Sequence, residues 1–158
     1  MTMRGDSGVD RVMRLAVLLP LVVIVTACGS SKASAPKTPP PKARAGPPPA
    51  WLETHAGSRW LGFSSYCWSR LGENVSTCAD AAAPKCSQRS VPKLSVERGE
   101  TVRAHFGYKP GKAAVDDIRL TARGRTVSWR IEKGGPFVLF AQAPRGNDAS
   151  YVGCAVLP

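Results

Sequence analysis

In three runs between residues 99 and 133 apolar and polar side chains change places one by one, a period of two that a β-strand with one buried face satisfies. In GETVRAHF, Val102, Ala104 and Phe106 share one face, and Thr101, Arg103 and His105 the other. In DIRLTAR the apolar set is Ile118, Leu120 and Ala122, against Arg119, Thr121 and Arg123. In RTVSWRIEK it is Val127, Trp129 and Ile131, against Ser128, Arg130 and Glu132. Gly124 between the last two runs predicts a hairpin. Phe137 to Ala141, after Gly134-Gly135-Pro136, is an almost continuous apolar run, as expected of a strand covered on both faces. Tyr151 to Leu157 closes the chain with Val152, Cys154 and Val156 on one side. Adding strands over 60–68 and 93–97 gives seven or eight short strands with turns roughly every ten residues, the spacing of an all-β antiparallel sandwich of immunoglobulin-like type. A closed barrel would show the same spacing.

Four of the five cysteines, Cys67, Cys78, Cys86 and Cys154, fall inside this β-rich part. An even number in a small exported domain reads as two disulfides. Gly72-Glu73 stands at the centre of the segment between Cys67 and Cys78, so a hairpin turning there would set those two cysteines opposite each other. Cys86 with Cys154 then follows by elimination. A zinc site is the competing use of four cysteines, but no CxxC spacing is present.

The fifth cysteine explains why export is expected. Arg4, Arg11 and Arg14 precede thirteen uncharged residues, Leu15 to Ala27, and Cys28 follows. A bilayer-spanning helix needs about 20 apolar residues, so the run is short for one, whereas a basic start, a short apolar stretch and a small residue before a cut are the marks of a secretory signal. Val25-Thr26-Ala27-Cys28 resembles the lipobox of bacterial lipoproteins. That resemblance implies cleavage before Cys28, a diacylglycerol on its thiol, and a protein anchored outside the cytoplasm to the cell membrane. An ordinary secretory signal or an uncleaved anchor are the alternatives. Two or three acyl chains hold a protein firmly where one does not, at about 0.8 kcal/mol per buried CH₂. The stretches around Tyr66-Cys67-Trp68, Cys78 and 146–151 also resemble secreted bacterial proteins of uncharacterised function, which implies no activity.

Three regions follow: a signal peptide over 1–27, a lipidated cysteine and disordered linker over 28–50, and one folded domain over 51–158. The linker holds seven of the fourteen prolines and four basic residues, Lys32, Lys37, Lys42 and Arg44, with no acid. Such a composition favours extended polyproline II over a packed core. A PxxP ligand for some aromatic-groove domain is a second use of Pro36 to Pro49. The domain carries fifteen basic and nine acidic residues, a net of +6 within a chain total of +11. With export, cytoplasmic nucleic acid is excluded as a partner; anionic lipid, a cell-wall polymer and extracellular nucleic acid remain, beside a solvated basic surface with no specific partner. Whether a protein is the partner is left open by the sequence.

The sequence carries no GxSxG, HExxH, phosphate-loop or dinucleotide fingerprint, and no cofactor is expected. His55 and His105 are the candidate bases near neutral pH, and each is expected to be exposed. Asp116-Asp117 reads as a turn rather than a cation site. The densest aromatic stretch, Ser58 to Trp68, offers Trp60, Phe63 and Tyr66 as a binding platform, with core packing as the alternative. Trp68 would pack on the disulfide if the immunoglobulin-like pattern holds. Outward-facing Arg103, Arg119 and Arg123 complete the candidate binding residues. The expected function is a non-catalytic, lipid-anchored binding module. A small envelope hydrolase or wall-modifying enzyme, and a structural protein contacting anionic wall polymer, are the alternatives.

Overall fold

A computed structural model describes residues 34–42, 46–69 and 75–158. Cys28 with the stretch that resembles a lipobox, and the turn expected at Gly72-Glu73, lie outside them. Among the described residues eleven strands build the domain: β1 (Ala50–Thr54), β2 (Gly57–Trp60), β3 (Gly62–Trp68), β4 (Thr77–Ala79), β5 (Lys93–Ser95), β6 (Thr101–Phe106), β7 (Lys112–Val115), β8 (Ile118–Leu120), β9 (Thr126–Arg130), β10 (Gly135–Gln142) and β11 (Asp148–Val156). They form two antiparallel sheets in a sandwich-like, all-β arrangement. The small sheet has the order β2-β1-β6-β9, and the large one β4-β3-β11-β10-β7-β8, with β5 running parallel to the end of β11.

The alternation decides which side chains meet. Leu52, Val102, Ala104 and Val127 of the small sheet and Leu139, Ala149 and Tyr151 of the large sheet are essentially inaccessible and belong to one core. Leu61, also fully buried, marks where the chain leaves the small sheet for the large one, so the single strand expected over 60–68 is two strands. Gly62 makes that corner possible, because a Cβ there would run into the Ser90 carbonyl.

Both cysteine pairings take the expected form. Cys67 and Cys78 stand opposite each other on β3 and β4 with Cα atoms 4.1 Å apart, and Cys86 is bridged to Cys154 at 5.4 Å. Both bridges involve strands of the large sheet, so neither pins one sheet to the other as in an immunoglobulin-like sandwich. Trp68 lies with its ring 5.2 Å from Tyr108.

Three expectations change. The Gly124 turn is tight, with Arg123 and Thr126 exchanging both backbone hydrogen bonds, yet β8 pairs with β7 and β9 with β6. The turn therefore carries the chain between sheets instead of closing a hairpin within one. The cause is Asp116-Asp117: with φ of 44° and 70°, they form a two-residue turn that sends β8 back along β7. As an edge strand, β8 leaves Ile118 66% exposed, where its pattern predicted burial. Finally, β10 alternates: Phe137, Leu139 and Ala141 are buried, while Val138 and Phe140 are half-buried. Its second face is covered by a loop, where Val91 and Cys86 pack near Val138, Val152 and Cys154.

Candidate functional site

The outward face of the small sheet gathers most of the unusual polar chemistry. Strand register places Trp60, Trp51, His105 and Thr126 in one row across β2, β1, β6 and β9, and Ser58, Glu53, Arg103 and Ser128 in the next. Within the first row the Trp51 and His105 rings stack at 3.7 Å, 3° from parallel. His105 Nε2 lies 3.0 Å from Glu53 Oε2, and Arg103 donates to the same oxygen at 3.3 Å. The His105 side chain is only 19% exposed, less than its outward position predicted, because Trp51 covers one face of the ring. Its neighbours were concealed from the sequence by β1, a strand of five residues directly after a proline run. The readable signal was Trp51 and Glu53 at a spacing of two, matching Arg103 and His105 at the same spacing on β6.

At the end of these strands sits a second imidazole. His55 Nδ1 is 2.7 Å from Glu100 Oε2, and the His55 backbone N–H donates to Glu100 Oε1 at 2.6 Å. The Glu97 N–H also donates to this carboxylate, at 2.8 Å. The hydrogen bond to Glu100 raises the His55 pKa above its ordinary value; desolvation opposes it, and the charges of Glu100 and Glu97 add to the rise. For Glu100, partial burial pushes the pKa up, but the Glu97 and His55 N–H groups and the His55 ring outweigh it, and the net direction is down. His55 itself is half exposed, consistent with its expected place at the surface.

Beyond Arg103 the face becomes basic. A cleft of about 440 Å³ is lined by Arg103, Arg119, Thr121, Arg123, Thr126 and Ser128, with Leu120 and Val127 beneath. The three arginines proposed from strand alternation are thus brought together, though they come from β6, from β8 and from the segment before the Gly124 turn. The crossing of the chain between sheets does this: it folds 119–123 over the β9 edge. Among the described residues, Arg103 has Glu53 as an ion-pair partner, whereas Arg119 and Arg123 have none. The Glu53–His55–Glu100 side forms an adjoining cleft of about 310 Å³ that shares Arg103 and Ser128 with the basic one. Arg103 therefore separates an acidic from a basic half.

The aromatic candidates divide. Phe63 and Tyr66 pack against the core, their rings 6.4 Å apart, with Phe63 also 5.7 Å from Tyr151. Trp60 is on the other sheet and engages the proline-rich segment, its Nε1–H donating to the Thr38 carbonyl at 2.7 Å. The three do not form a shared platform. A separate apolar cleft of about 370 Å³ lies between Trp129, Ile131, Phe137, Val115 and Ile118, at the open edge of the sandwich.

The hydrogen bonds recorded for both imidazoles go to carboxylates, and among the described residues no three His, Cys, Asp or Glu side chains converge as metal ligands. The arrangement presents fixed donors and guanidinium charge. Such groups hold an anion in place. No family model, curated protein or solved structure matches the chain.

Proposed function

We propose that this chain is a lipid-anchored, extracytoplasmic binding module, without catalysis, that holds phosphate- or carboxylate-bearing envelope material in the cleft of Arg103, Arg119 and Arg123. The two disulfides mark an oxidising, extracytoplasmic environment. Among the described residues no helix is long and apolar enough to cross a membrane. The attachment itself is assigned to Cys28 through the lipobox resemblance. The single observation carrying the binding reading is the cleft, where two of three exposed guanidinium groups have no carboxylate partner among the described residues. A guanidinium's planar fork of donors fits phosphate and carboxylate oxygens in pairs, and an unpaired one has that capacity free.

Co-sedimentation with anionic liposomes and with isolated wall material, over a range of ionic strength, tests this. Binding should fall steeply with salt. Arg119→Ala with Arg123→Ala removes about 1 kcal/mol per residue, so affinity should drop roughly thirtyfold with the fold intact. Equal binding by wild type and the double variant removes the cleft from the function. Mass spectrometry of membrane-extracted protein addresses the anchor separately: the mature N-terminus should be an acylated Cys28.

A further inference from the structure

The proline-rich segment before the domain lies along its edge. Ser58 Oγ donates to the Ser34 carbonyl at 2.8 Å, and Trp60 Nε1 donates to the Thr38 carbonyl at 2.7 Å. Ser58 and Trp60 are two residues apart on β2, so both side chains leave the same face of the outermost strand of the small sheet. Their acceptors are four residues apart, and a bend at Lys37 and Thr38 joins the two contacts. Pro36 and Pro41 are half-buried, while Pro39 and Pro40 between them are exposed.

These are the elements by which aromatic-lined grooves take proline-rich peptides. A proline-rich segment has few backbone donors, so its carbonyls are left free to accept, and the fixed φ of its prolines lowers the entropy lost on docking. An indole supplies a flat apolar face and one N–H, which is a donor only. We propose that the β2 edge strand, through Ser58 and Trp60, is a docking site for a bent proline-rich peptide with accepting carbonyls at positions i and i+4, and that its resident occupant is the chain's own segment 34–41. The aromatic partner of the PxxP stretch is then the neighbouring domain itself.

One consequence follows from the placement. With Cys28 as the anchor, docking at Ser34 leaves five residues between lipid and strap, a chain length of roughly 16 Å at polyproline spacing, against something under 70 Å for the whole linker. The strap is a short leash. The docking itself depends neither on that anchor nor on the basic cleft.

The test uses the full chain labelled with ¹⁵N at tryptophan, the Trp60 indole resonance being assigned by its loss in Trp60→Phe. A variant with residues 34–41 replaced by Gly and Ser in equal number should exchange the Trp60 indole proton about fivefold faster than wild type, as loss of one hydrogen bond predicts. The Trp129 indole should exchange at the same rate in both, reporting an intact core. Equal Trp60 rates in the two chains overturn the proposal. A synthetic peptide of sequence SAPKTPPPK, added to the Gly/Ser variant, should shift the Trp60 resonance, and less so when Ser58→Ala is also present. No shift up to millimolar peptide overturns the docking site. Protection in wild type should survive hundredfold dilution, and protection that fades on dilution overturns the assignment of the chain's own segment as occupant.

Discussion

The two sheets are secured by different means. In the large sheet the covalent bonds dominate: Cys67–Cys78 joins adjacent strands, and Cys86–Cys154 fastens the loop that covers its second face. The small sheet has no cysteine at all. Its outward face is ordered by polar contacts instead: Glu53 between His105 and Arg103, Glu100 with His55, and the strap on Ser58 and Trp60. Exposed ion pairs contribute little, about 0–1 kcal/mol each, so these contacts orient side chains more than they stabilise the fold. One sheet serves as scaffold, and the other presents chemistry to solvent. This division lets the presenting face vary its charges with small effect on folding.

The largest expected effect falls on the scaffold. Replacing Cys86 and Cys154 by Ala opens a loop with a sequence separation of 68, where chain-entropy models place the loss near 4 kcal/mol. Chemical denaturation should show that loss, and an effect below 1 kcal/mol would break the division just drawn. Next comes Gly153→Ala, also in the large sheet. A Cβ there would meet the Phe137 ring at 2.6 Å and Leu94 Cδ1 at 2.7 Å, an overpacking worth about 1–3 kcal/mol. On the presenting sheet, Arg119→Ala with Arg123→Ala should leave the denaturation midpoint nearly unchanged while weakening anion binding, which sharpens the contrast between holding and presenting.

The smallest effect is in titration. His55 should titrate above 6.5 by NMR, and Glu100→Gln should return it toward that value. A raised histidine pKa stabilises the fold fully below the unfolded value and loses that contribution as pH rises through the folded one. A lowered Glu100 pKa stabilises above its ordinary value of 4.5, and that contribution is lost as pH falls through the depressed one. The His55–Glu100 contact is therefore strongest between about pH 4.5 and 6.5. A His55 pKa unchanged by Glu100→Gln would detach that pair from the polar order of the face.

Legibility differed between the same two regions. Strands β6 and β9 were readable because each runs at least five residues with one face buried, so hydrophobic alternation is unbroken. Short strands were not. β1 has buried Ala50 and Leu52 but follows prolines, and β7 offers Lys-Ala-Ala-Val, too few residues to display a period. The cysteine pairing was accessible because a hairpin brings its two flanks into register by local geometry. The Trp51–His105 stack was not, since it needs the pairing of β1 with β6 across some fifty residues of chain.

Amino-acid order alone determined the β character, the two bridges and the outward direction of Arg103, Arg119 and Arg123, because periodicity and turn chemistry act over a few residues. Tertiary structure decided that those three arginines share a cleft, that Phe63 and Tyr66 turn to the core while Trp60 receives the strap, and that β8 and β9 part company at Gly124. Each of these depends on which strands lie side by side. That choice is settled by burying one common core, a property of the whole chain that no short stretch contains.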